Sequence, residues 1–144
     1  MHSSQEDYLK VTCAVIINSK NQLLAAQRSE AMPHPLLWEL PGGKIKKNEK
    51  PEQCIKREIF EEIGTMVQPI IKLDPSVHDY PERTVELIPY VCKIVKGTPH
   101  PMEHKALEWL DCEQIPTVEW LAADIPILKK ACRLIYGIED CFHR

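Results

Sequence analysis

Residues 43–64 constrain this chain more than any other segment. They read Gly43, five residues, Glu49, seven residues, Arg57-Glu58-Ile59, one residue, Glu61-Glu62, one residue, Gly64. Pro41-Gly42-Gly43 is a strong turn signal, and the paired glycines allow backbone conformations denied to other residues. Asn48 is placed to cap a helix and Pro51 suits a first helical turn. Glu49 and Glu52 then fall near the positive end of the helix dipole. At about 100° per residue, Ile55, Ile59 and Ile63 form one apolar stripe, so the spacing predicts a helix over 51–63 packed on a core. Gly64 supplies its C-terminal stop.

Glu58, Glu61 and Glu62 cluster on another side of that helix, with Cys54 one turn before them. Like charges three or four residues apart cost roughly 0.2–0.5 kcal/mol per pair when uncompensated. Arg57 can offset Glu61 but not all three. A solvated acidic face is the bland account of such a run; the glycine loop before it and the glycine stop after it favour a bound cation. Carboxylate oxygens are hard ligands suited to Mg²⁺ or Mn²⁺. Magnesium keeps several waters and binds a few carboxylates together with substrate phosphates, so the pattern points to a phosphorylated substrate.

Composition narrows the classes further. A chain of 144 residues fits one domain, with a core over about 9–136 and peripheral ends at 1–7 and 137–144. A net charge of −3 offers no electrostatic footprint for duplex DNA. No apolar run approaches the roughly 20 residues that span a bilayer, and the N-terminus lacks the basic and apolar regions of a signal peptide. A cytoplasmic location is the resulting expectation. The six cysteines include no Cys-x-x-Cys pair and are expected to be buried thiols, with Cys141, near the end, exposed.

The β-branched run 11–17 reads as a buried strand, 22–27 as its partner across a polar turn, and 29–37 as a loop. A short strand is expected at 38–40, with further extended segments at 67–73 and 84–95. Pro89 marks the last of these as an edge or a bulge. Residues 96–104 read as loop, 106–110 as a short strand and 125–136 as an amphipathic helix. One central helix and one terminal helix among strands indicate an α/β layered domain without regular βα alternation.

The segment 43–64 resembles the signature of the Nudix hydrolases, departing only at Thr65, where an aliphatic residue is usual. The resemblance implies an α/β/α sandwich with a mixed β-sheet. It also implies hydrolysis of a nucleoside diphosphate linkage by water, with a small-molecule nucleotide as the partner. Carried over residue by residue, it assigns metal binding to Glu58, Glu61, Glu62 and the Gly42 carbonyl. Arg57 orients the carboxylates and Glu49 supports the loop. The general base is left between Glu58 and Glu103.

Ala26-Gln27-Arg28-Ser29, the run 38–45 and the run 103–109 resemble the MutT branch of that family. This implies that Arg28 contacts the triphosphate and that Glu103 adds a metal-binding carboxylate from a loop. Gly43, Lys44 and Tyr80 join the substrate-binding positions, although Tyr80, like Trp38, can equally pack in a core. Asp124 falls at the branch's base-reading position, and equally where a helix cap is expected. An ionised carboxylate accepts the cytosine N4 amino group, so CTP, dCTP or modified deoxycytidine triphosphates come first and oxidised guanine nucleotides second. A non-catalytic nucleotide-binding module and an RNA 5′-end hydrolase are the remaining readings. Oligomeric state is left open. His100 and His104, four apart, have Pro101 between them, which argues against a zinc site on a helix. His34 and His78 are expected in loops bordering the pocket.

Overall fold

The computed structural model describes residues 7–142. The described chain runs β1 (Tyr8–Ile16), β2 (Leu23–Gln27), β3 (Trp38–Glu39), β4 (Gly42–Lys44), α1 (Pro51–Ile63), β5 (Met66–Lys72), β6 (Ser76–Asp79), β7 (Thr84–Lys96), β8 (Ala106–Leu110) and α2 (Ile125–Tyr136). One sheet has the order β4-β1-β7-β5, with β6 also on β7; a second has the order β3-β2-β8. β1 and β7 are parallel and the other pairs antiparallel, so the sheet is mixed. The peripheral start expected at 1–7 lies, apart from Asp7, outside the described residues.

Strand periodicity explains the layers. Alternate side chains point to opposite faces of a strand. Ala14, Ile16, Leu24, Ile88, Tyr90 and Cys92 join Ile55, Ile59 and Ile63 of α1 in one apolar cluster. Their neighbours Cys13, Val15, Leu23, Ala25, Leu87 and Val91 join Ile127, Leu128, Ala131 and Cys132 of α2 in another. The result is an α/β/α sandwich. The three isoleucines of α1 are fully buried, each contributing about 1.5–3 kcal/mol. Among the described residues no helix is long and apolar enough to cross a membrane.

Several expectations are corrected. β2 pairs with β3 and β8, and its backbone is joined to the end of the first strand by the isolated Ile17–Leu23 bridge. β7 is an interior strand despite Pro89. The Pro89 carbonyl accepts the Leu73 amide at 2.9 Å, so the residue turns to the side where β6 has stopped at Leu87 and β5 pairs from Tyr90. The missing N–H therefore falls in a gap between neighbours. The glycines of Pro41-Gly42-Gly43 are in β4 and neither has a positive φ. They are required by space: a Cβ on Gly42 would lie 2.0 Å from the Thr12 carbonyl oxygen. Asn48 does not cap α1; Lys50 does, its amide donating to Gln53 Oε1 at 3.0 Å. Gly64 ends the helix as expected, with φ 70°.

All six cysteines are buried thiols, including Cys141, which is fully enclosed. Ile138 and Phe142 also pack on the α2 side, so residues 138–142 close that core rather than lying outside it. Thr65 is buried as an aliphatic residue would be, but its hydroxyl has no hydrogen-bond partner.

Candidate active site

Arg57 organises the acidic face of α1. Its Nε and Nη2 grip both oxygens of Glu49, at 2.7 and 2.9 Å, and Nη1 reaches Glu58 at 2.8 Å and Glu61 at 3.3 Å. Nη2 also donates to the Lys44 carbonyl at 3.1 Å, which ties the loop between β4 and α1 to the helix. Bidentate pairing of this kind fixes geometry as well as charge. The Arg57 bond, with the Lys46 amide, holds the Glu49 carboxyl down at about 2.

Glu62 is more enclosed. Its Oε2 accepts the Gly42 amide at 3.3 Å. Burial, then the charges of Glu39, Glu58 and Glu103, push its carboxyl up to about 8, against a partial pull from the Gly42 amide. Glu58 lies directly over Gly43, where a Cβ would sit 2.2 Å from its carboxyl carbon. Under this loop the Cys54 thiol meets the Thr12 hydroxyl at 3.3 Å and the Lys44 carbonyl at 3.4 Å.

The loop 97–105 brings in Glu103. The last carbonyls of a helix lack partners within it. Here the His100 amide takes that of Ile63 at 3.0 Å and the Met102 amide that of Glu62 at 3.2 Å; the Lys105 amide then bonds Gln27 at 2.9 Å. Glu103, exposed between these anchors, lines the same cavity as Glu58, Glu61 and Glu62. His100 and His104 diverge. His100 packs over Gly64, and His104 is buried with Nε2 2.7 Å from Glu39 Oε2. Among the described residues no three His, Cys, Asp or Glu side chains are drawn together as a ready coordination shell.

Two cavities adjoin. The acidic one, about 690 Å³, holds the four glutamates with Gly43 and the exposed Lys44. The other, about 470 Å³, is lined by Tyr80, Val85, Leu87 and Asp124. Val11, Arg28, Glu39 and Gly42 border both. Arg28 is fixed at the junction, with Nη1 on Glu39 at 2.9 Å and Nε on the Pro33 carbonyl at 2.7 Å.

Asp124 stands just before α2, yet its carboxyl makes no cap bond. Instead Oδ2 accepts the Leu40 amide at 3.0 Å. At 4% exposure its carboxyl is pushed up to about 7, by burial first and then Glu39, while the Leu40 amide and Arg28 pull the other way. A carboxyl raised from 3.8 to about 7 holds a proton that the unfolded chain releases between those values. Its contribution to stability is complete below pH 3.8 and is lost as pH rises through 7. Asp124→Asn removes this loss. Relative to wild type, the variant is expected to gain about 2–3 kcal/mol between pH 5 and pH 8 in urea unfolding. A stability difference that stays constant with pH would contradict this.

Tyr80 is half-buried, with the His78 ring edge-on at 4.5 Å and His34 at 5.7 Å. His34 borders the Asp124 cavity on its loop, while His78 lies in β6 rather than in a loop. Trp38 packs against the α2-side core. Sequence reasoning missed Glu39 and the His104 contact. The available signal was Glu39 itself, a charged residue between Trp38 and Leu40 directly before the glycine turn.

A model of the NUDIX domain matches residues 7–131. The 8-oxo-dGTP diphosphatase of Proteus vulgaris is 40% identical over 79 residues, covering 55% of this chain and 70% of that protein. The CTP pyrophosphohydrolase of Escherichia coli (strain K12) is 30% identical over 116 residues, covering 81% of this chain and 86% of that protein. The crystal structure of the MutT protein from Methanosarcina mazei aligns with a TM-score of 0.74 at 28% identity, covering 84% of this chain and 89% of that chain. A match running from the first strand into the last helix, on a fold of the same kind, places the chain in the Nudix family of hydrolases, as a nucleotide pyrophosphohydrolase.

Proposed function

We propose that this enzyme is a Mg²⁺-dependent nucleoside triphosphate pyrophosphohydrolase, releasing a nucleoside monophosphate and pyrophosphate, with cytidine nucleotides as its first substrate class. The observation that carries the reading is the junction of the two cavities at Arg28. A polyphosphate can lie along the acidic one while its base enters the one that Asp124 lines.

Nudix hydrolases generally use divalent metal ions, and the donor set fits one. Glu58, Glu61, Glu62 and Glu103 are hard oxygen donors lining one cavity, and Glu62 is enclosed there beside the charges of Glu39, Glu58 and Glu103. With the Gly42 carbonyl they would hold Mg²⁺ or Mn²⁺, which supplies charge neutralisation on the phosphates and a more acidic bound water. Arg57 and Glu49 keep the carboxylates in place. Arg28 and Lys44 receive phosphate oxygens, the guanidinium by its fork and the ammonium as a point charge. Glu58 is engaged by Arg57, so Glu103, exposed on its anchored loop, is the better placed to take the proton of the attacking water.

In the other cavity Leu40 occupies one oxygen of Asp124. Ionised, the remaining oxygen accepts the cytosine amino group. Protonated, it donates, which suits the oxo form of a damaged guanine. A carboxyl near 7 makes oxidised guanine nucleotides a second reading, in line with what the Proteus vulgaris relative is named for.

The test is a panel of normal and modified triphosphates with Mg²⁺ at pH 6 and pH 8.5, both products being read. CTP and dCTP are expected to give the highest kcat/KM at the higher pH, with their advantage over 8-oxo-dGTP shrinking at the lower. Asp124→Ala is expected to cost cytidine substrates about tenfold more than other bases, about the worth of one base contact. Preference for 8-oxo-dGTP at both pH values, with equal losses on every base, would refute the cytidine reading.

A further inference from the structure

We infer that Glu39 and His104 form a positioning pair, which ties the Glu103 loop to Arg28 and so holds the two cavities in one arrangement. The inference rests on the proposed function in one respect, that Glu103 and Arg28 act on the nucleotide. Glu39 divides its carboxylate, Oε1 to Arg28 at 2.9 Å and Oε2 to His104 at 2.7 Å. The side chains of Glu39 and His104 are 16% and 4% exposed, so this bond is shielded from water and correspondingly strong. A carboxylate only accepts, so Nε2 of His104 carries the hydrogen. Nδ1 is buried with no partner, which leaves Glu39 as the ring's polar anchor.

The connection is continuous. His104 follows Glu103 directly. The Met102 amide holds the Glu62 carbonyl on one side, and the Lys105 amide holds Gln27, the residue before Arg28, on the other. Between those points the imidazole seated on Glu39 is what keeps the segment from turning. Freed from it, Glu103 loses its place beside α1, and Glu39 is left to Arg28 alone. Neither residue need touch the reacting atoms.

The experiment compares His104→Leu, His104→Gln and Glu103→Gln in the full chain. His104→Leu is expected to speed hydrogen exchange at the Met102 and Lys105 amides about tenfold, leaving Ile55 and Ile59 unchanged. It is also expected to lower kcat about tenfold with KM within about threefold, the pattern of misplacement rather than lost binding. His104→Gln, whose amide reaches Glu39 from the Nε2 position, is expected to recover to within about threefold of wild type. A folded His104→Leu with wild-type exchange at Met102 and Lys105 overturns the inference, and so does a His104→Gln as impaired as His104→Leu. If His104→Leu fails to fold, His104→Asn, too short to reach Glu39, carries the same exchange measurement. Wild-type turnover in Glu103→Gln, with the His104→Leu effects intact, removes Glu103 from the chemistry and leaves the pair standing.

Discussion

Glu62→Gln is expected to lower kcat by about 100-fold or more, near 3 kcal/mol of transition-state stabilisation, in a protein that remains folded. The two effects separate because burial opposes the Glu62 charge. Neutralising it costs the fold nothing at pH 8 and takes a carboxylate from the enclosed part of the acidic cavity. Glu61→Gln is expected to cost at least about tenfold, and less than Glu62→Gln. The Glu61 side chain is 54% exposed and contacts Arg57 at 3.3 Å, at the rim rather than in the interior. Steady-state kinetics on CTP at saturating Mg²⁺, beside urea unfolding, measures both. Wild-type turnover in either variant would remove that residue from the chemistry.

The neighbouring glycines are expected to give opposite outcomes. A Cβ at position 42 meets backbone, 2.0 Å from the Thr12 carbonyl oxygen and 2.8 Å from the Cys13 Cα, and β1 cannot move aside cheaply. Gly42→Ala should therefore cost about 3 kcal/mol or more, at or above the upper end of overpacking penalties. A Cβ at position 43 meets the end of the Glu58 side chain at 2.2 Å, which can rotate away. Gly43→Ala should stay within about 1 kcal/mol of wild type yet lose about 100-fold in kcat, because the displaced carboxylate is one the site needs. Unfolding curves and kcat for the pair decide the matter. An unstable Gly43→Ala or a stable Gly42→Ala would show that the loop is not packed as described.

What was legible in the sequence is what local periodicity encodes. Ile55, Ile59 and Ile63 marked the buried side of α1, and Gly64 its end, because a helix repeats within a few residues. The span of α2 was readable for the same reason. Strand partners were not, because pairing depends on residues far apart. Leu23–Gln27 looked like the partner of the first strand because a short turn joins them, yet its partners lie at 38–39 and 106–110. The four-residue strand β6 was too short to show an alternation.

The site divides the same way. The carboxylates of α1 could be placed on one side by counting. That Glu39, His104 and Arg28 share one contact could not, since they come from a strand, a loop and a strand end brought together only by the finished fold. From the sequence Asp124 reads as a helix cap or as a base-reading residue, and local pattern does not choose between them. Its bond to the Leu40 amide, across 84 positions, is what takes it from capping to the cavity wall.

The parallel register of β1 with β7, Tyr8 opposite Thr84 and onward to Ile16 opposite Cys92, sets the order in which this enzyme can be made. A strand emerging early from the ribosome must wait for one synthesised much later, and loop closure over that span is slow. Until then β1 presents one unmatched edge, the other being available to β4. The glycine-rich segment pairs with the other edge of β1 at Thr12 and Cys13, so it is seated on a strand whose second edge is matched only by residues far along the chain.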